Sequence, residues 1–178
     1  MINITISEYS TVSTTVPDWS REHKPFFAWH PSRSLLASIR AYQYYSTSDS
    51  LFHKLPKKIA VFRHLFWSIV TAADIPINCH IGGGLLIPHP NGIVIHPDAR
   101  IGVNCLIFQQ VTLGSSRGTK VPVIGGHVDI GAGAKILGGI QIGNNVKIGA
   151  NAVVLTDIPA GETAVGVPAR VTKIKKTA

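Results

Sequence analysis

The stretch IGGHVDIGAGAKILGGIQIGNNVKIGANAVV, residues 124–154, places an aliphatic residue at every sixth position. These residues are Ile124, Ile130, Ile136, Ile142, Ile148 and Val154, and glycine follows four of them. An amphipathic helix would need apolar spacings of three and four residues, and a strand with one buried face would need alternation. A period of six is instead typical of a parallel β-helix built from hexapeptides. The sequence therefore predicts a mainly β chain that coils into such a helix.

The same period extends toward the N-terminus in two shorter series. They comprise Ile75, Ile81, Ile87 and Ile93, and then Ile95, Ile101, Ile107 and Leu113. Four residues after the repeat positions stands a second column of small or apolar residues, with Asn91 as its one exception. We expect both columns to face the core, with three short strands in each turn of about eighteen residues and turns stacked roughly 4.8 Å apart.

The repeat breaks at two places. The register slips between Ile93 and Ile95, just after the segment IPHPNG (87–92), and the polar segment SSRGTKVP (115–122) separates Leu113 from Ile124. The second segment is too long for a corner and predicts a protruding loop. Loops that leave a rigid scaffold often carry functional residues, so both breaks are candidate functional positions.

The residues before the repeat have a different pattern. SLLASIRAYQYY (34–45) and KKIAVFRHLFWSIVTAA (57–73) carry apolar residues at helical spacing, which predicts two or more helices behind a polar arm. We divide the chain into an N-terminal arm and helical region (1–72), a β-helix domain (73–170) with its loop at 115–122, and a basic C-terminal tail (171–178).

Composition indicates a globular protein with an anionic partner. The 178 residues are 45% hydrophobic and 15% charged, which excludes a disordered chain, and the net charge of +8 suits a phosphorylated ligand, a membrane surface or nucleic acid. Two cysteines cannot form a disulfide framework. Residues 1–19 lack the features of a secretory signal, and the apolar run 59–73 is too short to span a bilayer. We expect a cytoplasmic protein without a transmembrane segment.

His89 is the first candidate for chemistry, because it stands between Pro88 and Pro90 and before the turn-forming pair Asn91–Gly92. Proline fixes its own φ and pushes the preceding residue toward extended conformations, so this backbone is stiff and not helical. From the residues alone, a rigid corner and a working imidazole are both open interpretations.

Taken together, the hexapeptides, HPNGIVI (89–95), QQVTLG (109–114), GAGAKILG (131–138) and AVGVPAR (164–170) resemble the hexapeptide acyltransferases, and among them the serine acetyltransferase branch. The resemblance covers about Ser34 to Lys173. It implies a left-handed β-helix, homotrimers, and acetyl-CoA as co-substrate in the groove between neighbouring coils. Pairing of two trimers through the N-terminal helices is left open.

The resemblance implies that His89 is the general base and that Asp74 is its carboxylate partner. Fifteen residues separate them, slightly less than one turn, so Asp74 should lie about one rung from His89. Acyl transfer to an alcohol needs a base for the hydroxyl proton, and histidine changes charge near neutral pH. A carboxylate on the other ring nitrogen fixes the tautomer and stabilises the imidazolium.

The resemblance also implies which residues bind acetyl-CoA. Small residues allow the pantetheine arm close to the backbone, and basic residues suit the CoA phosphates. The predicted small residues are Ser115, Ser116, Ala132 and Ala150, and the predicted basic residues are Lys147, Arg170 and Lys173. Alternatively, the small residues are present because the tight corners of the coil require them. The basic residues could equally be ordinary solvated surface residues.

The remaining histidines and the cysteines have simpler interpretations. His80, His89 and His96 could be compared with the metal site of β-helical carbonic anhydrases, but their repeat positions all differ, so no metal is expected. His127 is predicted to be an outward corner residue. Cys79 and Cys105 belong to the second inward column and should be buried, inert thiols.

Departures from the serine acetyltransferases decided our prediction of the acceptor. Their aspartate before the catalytic histidine is Pro88 here, and their loop histidine that contacts the serine carboxylate is Val121. Their tail that engages cysteine synthase is replaced by VTKIKKTA (171–178), so no such complex is expected. The sequence resembles in this respect the colanic acid-type acetyltransferases of polysaccharide biosynthesis.

The sequence therefore predicts an acetyl-CoA-dependent O-acetyltransferase acting on a sugar hydroxyl in exopolysaccharide or lipopolysaccharide biosynthesis, with no nucleic acid partner. A serine O-acetyltransferase of cysteine biosynthesis is the alternative. A metal-dependent hydratase and a non-enzymatic β-helical binding module are the remaining possibilities.

Overall fold

The computed structural model describes residues 12–25, 28–47, 50–116 and 118–172, in which a helical part precedes a coil of short strands. The helices are α1 (Pro31–Tyr45) and α2 (Leu51–Thr71), and a 3-10 helix covers Trp19–Glu22. The strands are β1 (His80–Ile81), β2 (Val94–Ile95), β3 (Arg100–Ile101), β4 (Leu106–Ile107), β5 (Thr112–Gly114), β6 (Val123–Ile124), β7 (Asp129–Ile130), β8 (Lys135–Leu137), β9 (Gln141–Ile142), β10 (Lys147–Ile148), β11 (Val153–Val154), β12 (Thr163–Gly166) and β13 (Ala169–Thr172).

Successive strands of the coil join three parallel sheets in rotation, which we name faces A, B and C. Face A contains β2, β5, β8 and β11, and face B contains β1, β3, β6 and β9. Face C contains β4, β7, β10 and β12, and β13 is added antiparallel to β12. Asp74 and Leu86 extend faces A and C by one bridge each. This arrangement confirms the predicted parallel β-helix.

The repeat aliphatics fill the interior of the coil. All six in the stretch 124–154 are at most 3% exposed. The second column is also buried except for the exposed Asn91, and Ile140 is the most exposed of its apolar members at 8%. In-register pairing stacks each aliphatic side chain on that of the next turn, as Ile107, Ile130 and Ile148 show on face C. Removal of this apolar surface from water is the main source of stability for the coil.

Strand pairing shows where the coil carries additional residues. In a regular turn a residue pairs with the one eighteen positions later, as Val94 does with Thr112. Leu86 pairs instead with Leu106, twenty positions later, and Thr112 pairs with Lys135, twenty-three positions later. Two additional residues therefore lie between Leu86 and Val94, in the IPHPNG segment, and five lie in the loop before β6. Both positions coincide with the predicted breaks.

At two of the three edges, every described turn of the coil passes through a residue with positive φ. At the edge between faces C and A, the C–A edge, these residues are Gly92, Gln110, Gly133 and Asn151. At the edge between faces B and C, the B–C edge, they are Gly84, Asn104, His127, Asn145 and Gly161. Glycine adopts this backbone region without a steric penalty, and asparagine tolerates it better than most residues. His127, with φ of 53°, is a corner residue as predicted.

The N-terminal arm lies along the B–C edge, where Asn104 fixes it. Asn104 is fully buried. Its Oδ1 accepts the backbone N–H of Asp18 at 2.7 Å, and its Nδ2 donates to the carbonyls of Ser13 and Val16 at 2.7 and 2.8 Å. Because one side chain satisfies three backbone groups of the arm, residues 12–18 are tied to the coil.

An ion pair ties α1 to the same edge. Arg40 Nη2 lies 2.8 Å from Glu22 Oε1, and the same guanidinium donates to the carbonyls of Ile81 and Gly82. Glu22 in turn accepts the backbone N–H of Gly84 at 2.8 Å. This network joins the arm, α1 and the first turn of the coil.

Both predicted helices are present, although α2 begins at Leu51, six residues before the predicted start. The reason for the difference is Pro56, which lies within α2. Proline lacks the N–H that a helix interior needs, so the sequence pattern placed the start of the helix after it. Among the described residues, no helix has both the length and the apolar character needed to cross a membrane.

Candidate active site

His89 lies at the C–A edge, in the part of the coil that holds two additional residues. The segment leaves face C after Leu86 and enters face A at Val94. Pro88 and His89 are exposed, whereas Ile87 and Ile93 on either side are buried in the core. The additional residues therefore push the imidazole out of the coil while its two flanks anchor the segment.

Asp74 lies one rung from the end of this segment. Its backbone N–H donates to the carbonyl of Ile93 at 2.8 Å, and its carbonyl accepts the N–H of Ile95 at 2.9 Å. The N–H of Gly92 donates to the carbonyl of Ala72 at 2.8 Å. The residue that follows α2 therefore contacts the C–A edge. Both Asp74 and His89 are exposed, and neither side chain forms a hydrogen bond or ion pair within the described residues.

The predicted small residues Ala132 and Ala150 lie on the same C–A edge as His89. The residues that precede the positive-φ position in successive turns are Asn91, Gln109, Ala132 and Ala150. Backbone hydrogen bonds of 2.8 to 2.9 Å link them, each carbonyl accepting an N–H from the turn that follows. Three rungs separate the Asn91 corner from Ala150, which is about 14 Å along the coil.

Two of the predicted basic residues lie close to this edge. Lys147 begins β10 on face C, three residues before Ala150. Arg170 pairs with Val165, and a Cβ added to Gly149 would lie 2.6 Å from Cγ1 of Val165. Arg170 is therefore beside the last turns of the C–A edge. Lys173 lies outside the described residues.

Ser115 and Ser116 lie on a different edge of the coil. They follow β5 at the edge between faces A and B, the A–B edge, where the loop begins. The loop lies beside Gly138 and Gly139 and borders a cavity of about 390 Å³ that is open to solvent, which Ser116 and Lys120 help to line. Within one chain, face A separates this cavity from His89.

The other histidines do not join His89. His80 stands on face B opposite Arg100, and His96 Nδ1 accepts the backbone N–H of Asp98 at 3.2 Å. Within the part of the chain that the structure describes, no group of three or more His, Cys, Asp or Glu residues is placed to hold a metal.

Both cysteines are buried in the core, as predicted. Burial raises the pKa of the Cys79 thiol to about 11 and that of the Cys105 thiol to about 11, because the core disfavours the charged thiolate. The thiolate is the reactive form, so these residues are unsuited to nucleophilic catalysis.

We expect neither thiol to react with a thiol-exchange reagent in the native protein near pH 8, where about one in a thousand would be ionised at a pKa near 11. Release of the reagent chromophore, followed by absorbance, should begin only on unfolding and should then report both cysteines. Fast reaction of native protein would contradict the burial described above.

Two candidate residues escaped the sequence analysis. Gln109 lies on the C–A edge, and its Oε1 is buried without a hydrogen-bond partner among the residues that the structure describes. Lys135 donates from its Nζ to the carbonyl of Gln110 on the same edge, which places a cation there. The polar pair Gln109–Gln110, at the corner between two largely apolar strands, is a usable signal for the first residue. Nothing in the repeat pattern singles out Lys135.

Comparison with known proteins agrees with this architecture. The bacterial transferase hexapeptide family (six repeats) matches residues 122–156. The serine acetyltransferase of Synechococcus elongatus is 44% identical over 121 residues, which are 66% of this chain and 49% of that protein.

Solved structures show the same relationship. Soybean serine acetyltransferase complexed with serine has a TM-score of 0.68 and 37% identity, with coverage of 81% of this chain and 58% of that chain. A serine acetyltransferase in complex with CoA has a TM-score of 0.67 and 36% identity, with coverage of 81% and 58%. The fold and the six-residue period define a hexapeptide-repeat protein, and residues 122–156 match the bacterial transferase form of that repeat.

Within that class, the chain is similar in sequence and structure to serine acetyltransferases. It spans about half the length of the curated relatives that it matches.

The predicted sugar acceptor is wrong in the light of these comparisons. The relatives that match over most of this chain are serine acetyltransferases, and they support the alternative of serine over a polysaccharide acceptor. The resemblance to colanic acid-type enzymes is likewise not supported. The error came from Pro88 and Val121, since we took the loss of two family side chains to mean the loss of the substrate.

Proposed function

We propose that this protein is a cytoplasmic, acetyl-CoA-dependent serine O-acetyltransferase with His89 as general base. The observation that carries the proposal is the C–A edge, which aligns the exposed His89 with the backbone corners at Ala132 and Ala150. Its homologues, one solved with serine and one with CoA, support the choice of both substrates.

In this mechanism the His89 imidazole takes the proton of the serine hydroxyl as that oxygen attacks the thioester carbonyl. The tetrahedral intermediate then collapses, the carbon–sulfur bond breaks, and the imidazolium returns the proton to the leaving thiolate. The products are O-acetylserine and CoA. Asp74, one rung away, stabilises the imidazolium and holds the ring in the required tautomer.

Acetyl-CoA would lie along the C–A edge, with its thioester near His89 and its pantetheine arm against Ala132 and Ala150. Only small side chains allow such close approach to the backbone. Arg170, with Lys147 and Lys173, would meet the phosphates at the far end, where basic groups suit a polyanion. The positions of Ala132, Ala150 and Arg170 beside one edge of the coil support this placement, and no metal has a role in the proposed chemistry.

The active site is proposed to form between the coils of a homotrimer. In one chain, face A separates His89 from the cavity beneath the loop, and the side chains of His89 and Asp74 are exposed without partners among the described residues. A neighbouring coil would cover the C–A edge and bring its own loop, with Ser115 and Ser116, to the groove. Exclusion of water would strengthen the electrostatic contacts that the reaction needs.

Lys120 is our candidate for recognition of the serine carboxylate. It lines the loop cavity with Ser116 and Thr119 and directly precedes Val121, where the family has a histidine. A lysine ammonium is a strong donor to carboxylates, and it could replace the lost imidazole. This explains how serine can be accepted although Val121 has no polar group.

Replacing Lys120 by alanine is expected to raise the KM for serine by roughly tenfold or more, because a hydrogen bond to a charged group is lost. The KM for acetyl-CoA should change little, and Lys120→Arg should restore most of the serine affinity. Steady-state kinetics with each substrate varied separately would measure this. An unchanged KM for serine in Lys120→Ala would remove the residue from the acceptor site.

The proposed function is tested by the release of CoA thiol from acetyl-CoA with serine, sugar nucleotides and oligosaccharides as separate acceptors. We expect serine-dependent release, with O-acetylserine identified by mass spectrometry. Absence of serine-dependent release by folded protein that binds CoA would overturn the proposal.

A further inference from the structure

One side of α2 is apolar and exposed along its whole length. The residues, with their exposed fractions, are Phe52 (89%), Leu55 (67%), Ile59 (52%), Phe62 (77%), Phe66 (52%) and Ile69 (77%), and we call them the α2 apolar face. Spacings of three and four residues place them on the same side of the helix. The opposite side packs inward and contains the buried Ala60 and Thr71.

The α2 apolar face is larger than a scattering of surface residues. Leu51, Leu65 and Val70 widen it and are 76%, 60% and 39% exposed. Contiguous apolar patches of this kind mark sites of interaction with a protein or a membrane, because their exposure to water is unfavourable.

The charges beside the face are all of one sign. Lys54 and Lys58 lie along one border and Arg63 along the other, all three exposed. From residue 50 to residue 73 the sequence contains no Asp or Glu. A helix with Lys and Arg around an apolar, Phe- and Leu-rich side has the composition of helices that lie in a membrane interface.

A pair of tryptophans lies at the Arg63 border. Trp67 follows Arg63 by four residues and is half-buried against the core. Its ring packs edge-on against Trp29, with ring centroids 5.7 Å apart. Trp29 is 72% exposed. Tryptophan is enriched at membrane interfaces, because its ring is apolar and its N–H remains hydrated.

We propose that the α2 apolar face docks on an anionic phospholipid surface. The hydrocarbon boundary accepts Phe52, Phe62 and the aliphatic side chains, while Lys54, Lys58 and Arg63 meet the headgroup phosphates. A second copy of α2 is a poorer match, since it would bring further cations to the borders without a carboxylate on the helix to pair with them. The net charge of +8 favours the same anionic partner.

This inference goes beyond the proposed acetyl transfer and does not depend on it. None of the residues of the face belongs to the C–A edge or to the loop cavity. Docking would hold the protein at a membrane surface and leave the coil in solution.

The test is co-sedimentation of the full chain with vesicles of phosphatidylcholine alone and of an equal mixture of phosphatidylcholine and phosphatidylglycerol. Three cations near an anionic surface should make binding to the mixed vesicles on the order of 10²-fold tighter, and added salt should weaken it. Retention of the wild-type protein in the supernatant with mixed vesicles would overturn the proposal.

Matched variants separate the apolar and charged parts. Phe62→Ser with Phe66→Ser should weaken binding by at least about tenfold, whereas Val16→Ser, a change of an apolar residue 65% exposed on the arm, should not. The double variant Lys54→Gln with Lys58→Gln should bind the mixed vesicles about twentyfold more weakly than the wild type. The double variant Lys54→Arg with Lys58→Arg keeps both positive charges and should retain binding.

Light scattering tests whether a second copy of the chain, and not a membrane, covers the α2 apolar face. If the Phe62 and Phe66 variant lowers the molar mass of the protein and the wild type does not bind mixed vesicles, the face is covered by a second copy and the membrane proposal is wrong. Circular dichroism verifies that each variant is folded, and these exposed positions should tolerate the changes.

Discussion

His89→Ala is expected to lower kcat for acetyl transfer by about 10² to 10⁴, the usual loss when a general base is removed. The affinity for CoA should remain nearly unchanged, because the predicted CoA contacts lie on the turns at Ala132 and Ala150. Steady-state thiol release gives kcat, and calorimetry gives the dissociation constant of CoA. The change should not unfold the protein, since His89 is exposed and Ile87 and Ile93 anchor its segment.

Two companion variants make this result specific. His96→Ala removes another histidine of the same coil, whose Nδ1 accepts the backbone N–H of Asp98, and it should retain most of the activity. Asp74→Asn should lower kcat less than His89→Ala, because it perturbs orientation and charge but leaves the base in place. Near-normal turnover of His89→Ala would make the imidazole structural and require a different base.

The fold could be predicted because its signal is local and repeated. A single buried isoleucine says little, but Ile124, Ile130 and Ile136 at equal spacing report a coil, since each turn must bury the same positions. The break at IPHPNG was visible in the same pattern. Asn91 looked like an error in the inward column, and the two additional residues of that turn explain it. They move Asn91 to the exposed corner and leave Ile93 to fill the core.

The packing of the arm could not be predicted, because it depends on contacts between distant residues. Asn104 looks like any corner asparagine, yet its amide holds the backbone of Ser13, 91 positions earlier. Nothing in the sequence indicates the ion pair between Glu22 and Arg40 either. Such contacts have no period, and a polar segment such as 12–25 gives no apolar signal of its own.

The candidate site was predicted in part. The family resemblance implied Asp74 and His89, and their spacing of fifteen residues agreed with it. Strand pairing places Asp74 one rung from the end of the His89 segment. Gln109 and Lys135 were missed because nothing marks them until the turns are stacked. The acceptor was predicted wrongly, since two missing side chains cannot reveal which other groups take their place, and we propose Lys120 as one such group.

A second large effect is expected in the core of the coil, where Ile124→Asp should lower the free energy of unfolding by several kcal/mol and leave little folded protein. Ile124 is 2% exposed in β6, the strand between β3 and β9 on face B, so the new carboxylate would be buried without a partner. The loss of its methyl groups would also leave a cavity.

The neighbouring residue of the same strand provides a control that isolates burial as the cause. Val123 is a β-branched residue like Ile124, but it points outward and is 42% exposed. Val123→Asp should therefore cost no more than about 1 kcal/mol, because its carboxylate stays in water. Denaturant unfolding followed by circular dichroism would compare the two variants.

Adjacent positions with the same substitution differ mainly in the side of the strand they occupy, so equal stabilities would show that the six-residue period does not define the core. A large difference would mean that one aliphatic side chain in each strand holds the turn together, and with it the spacing of the C–A edge on which the proposed chemistry depends.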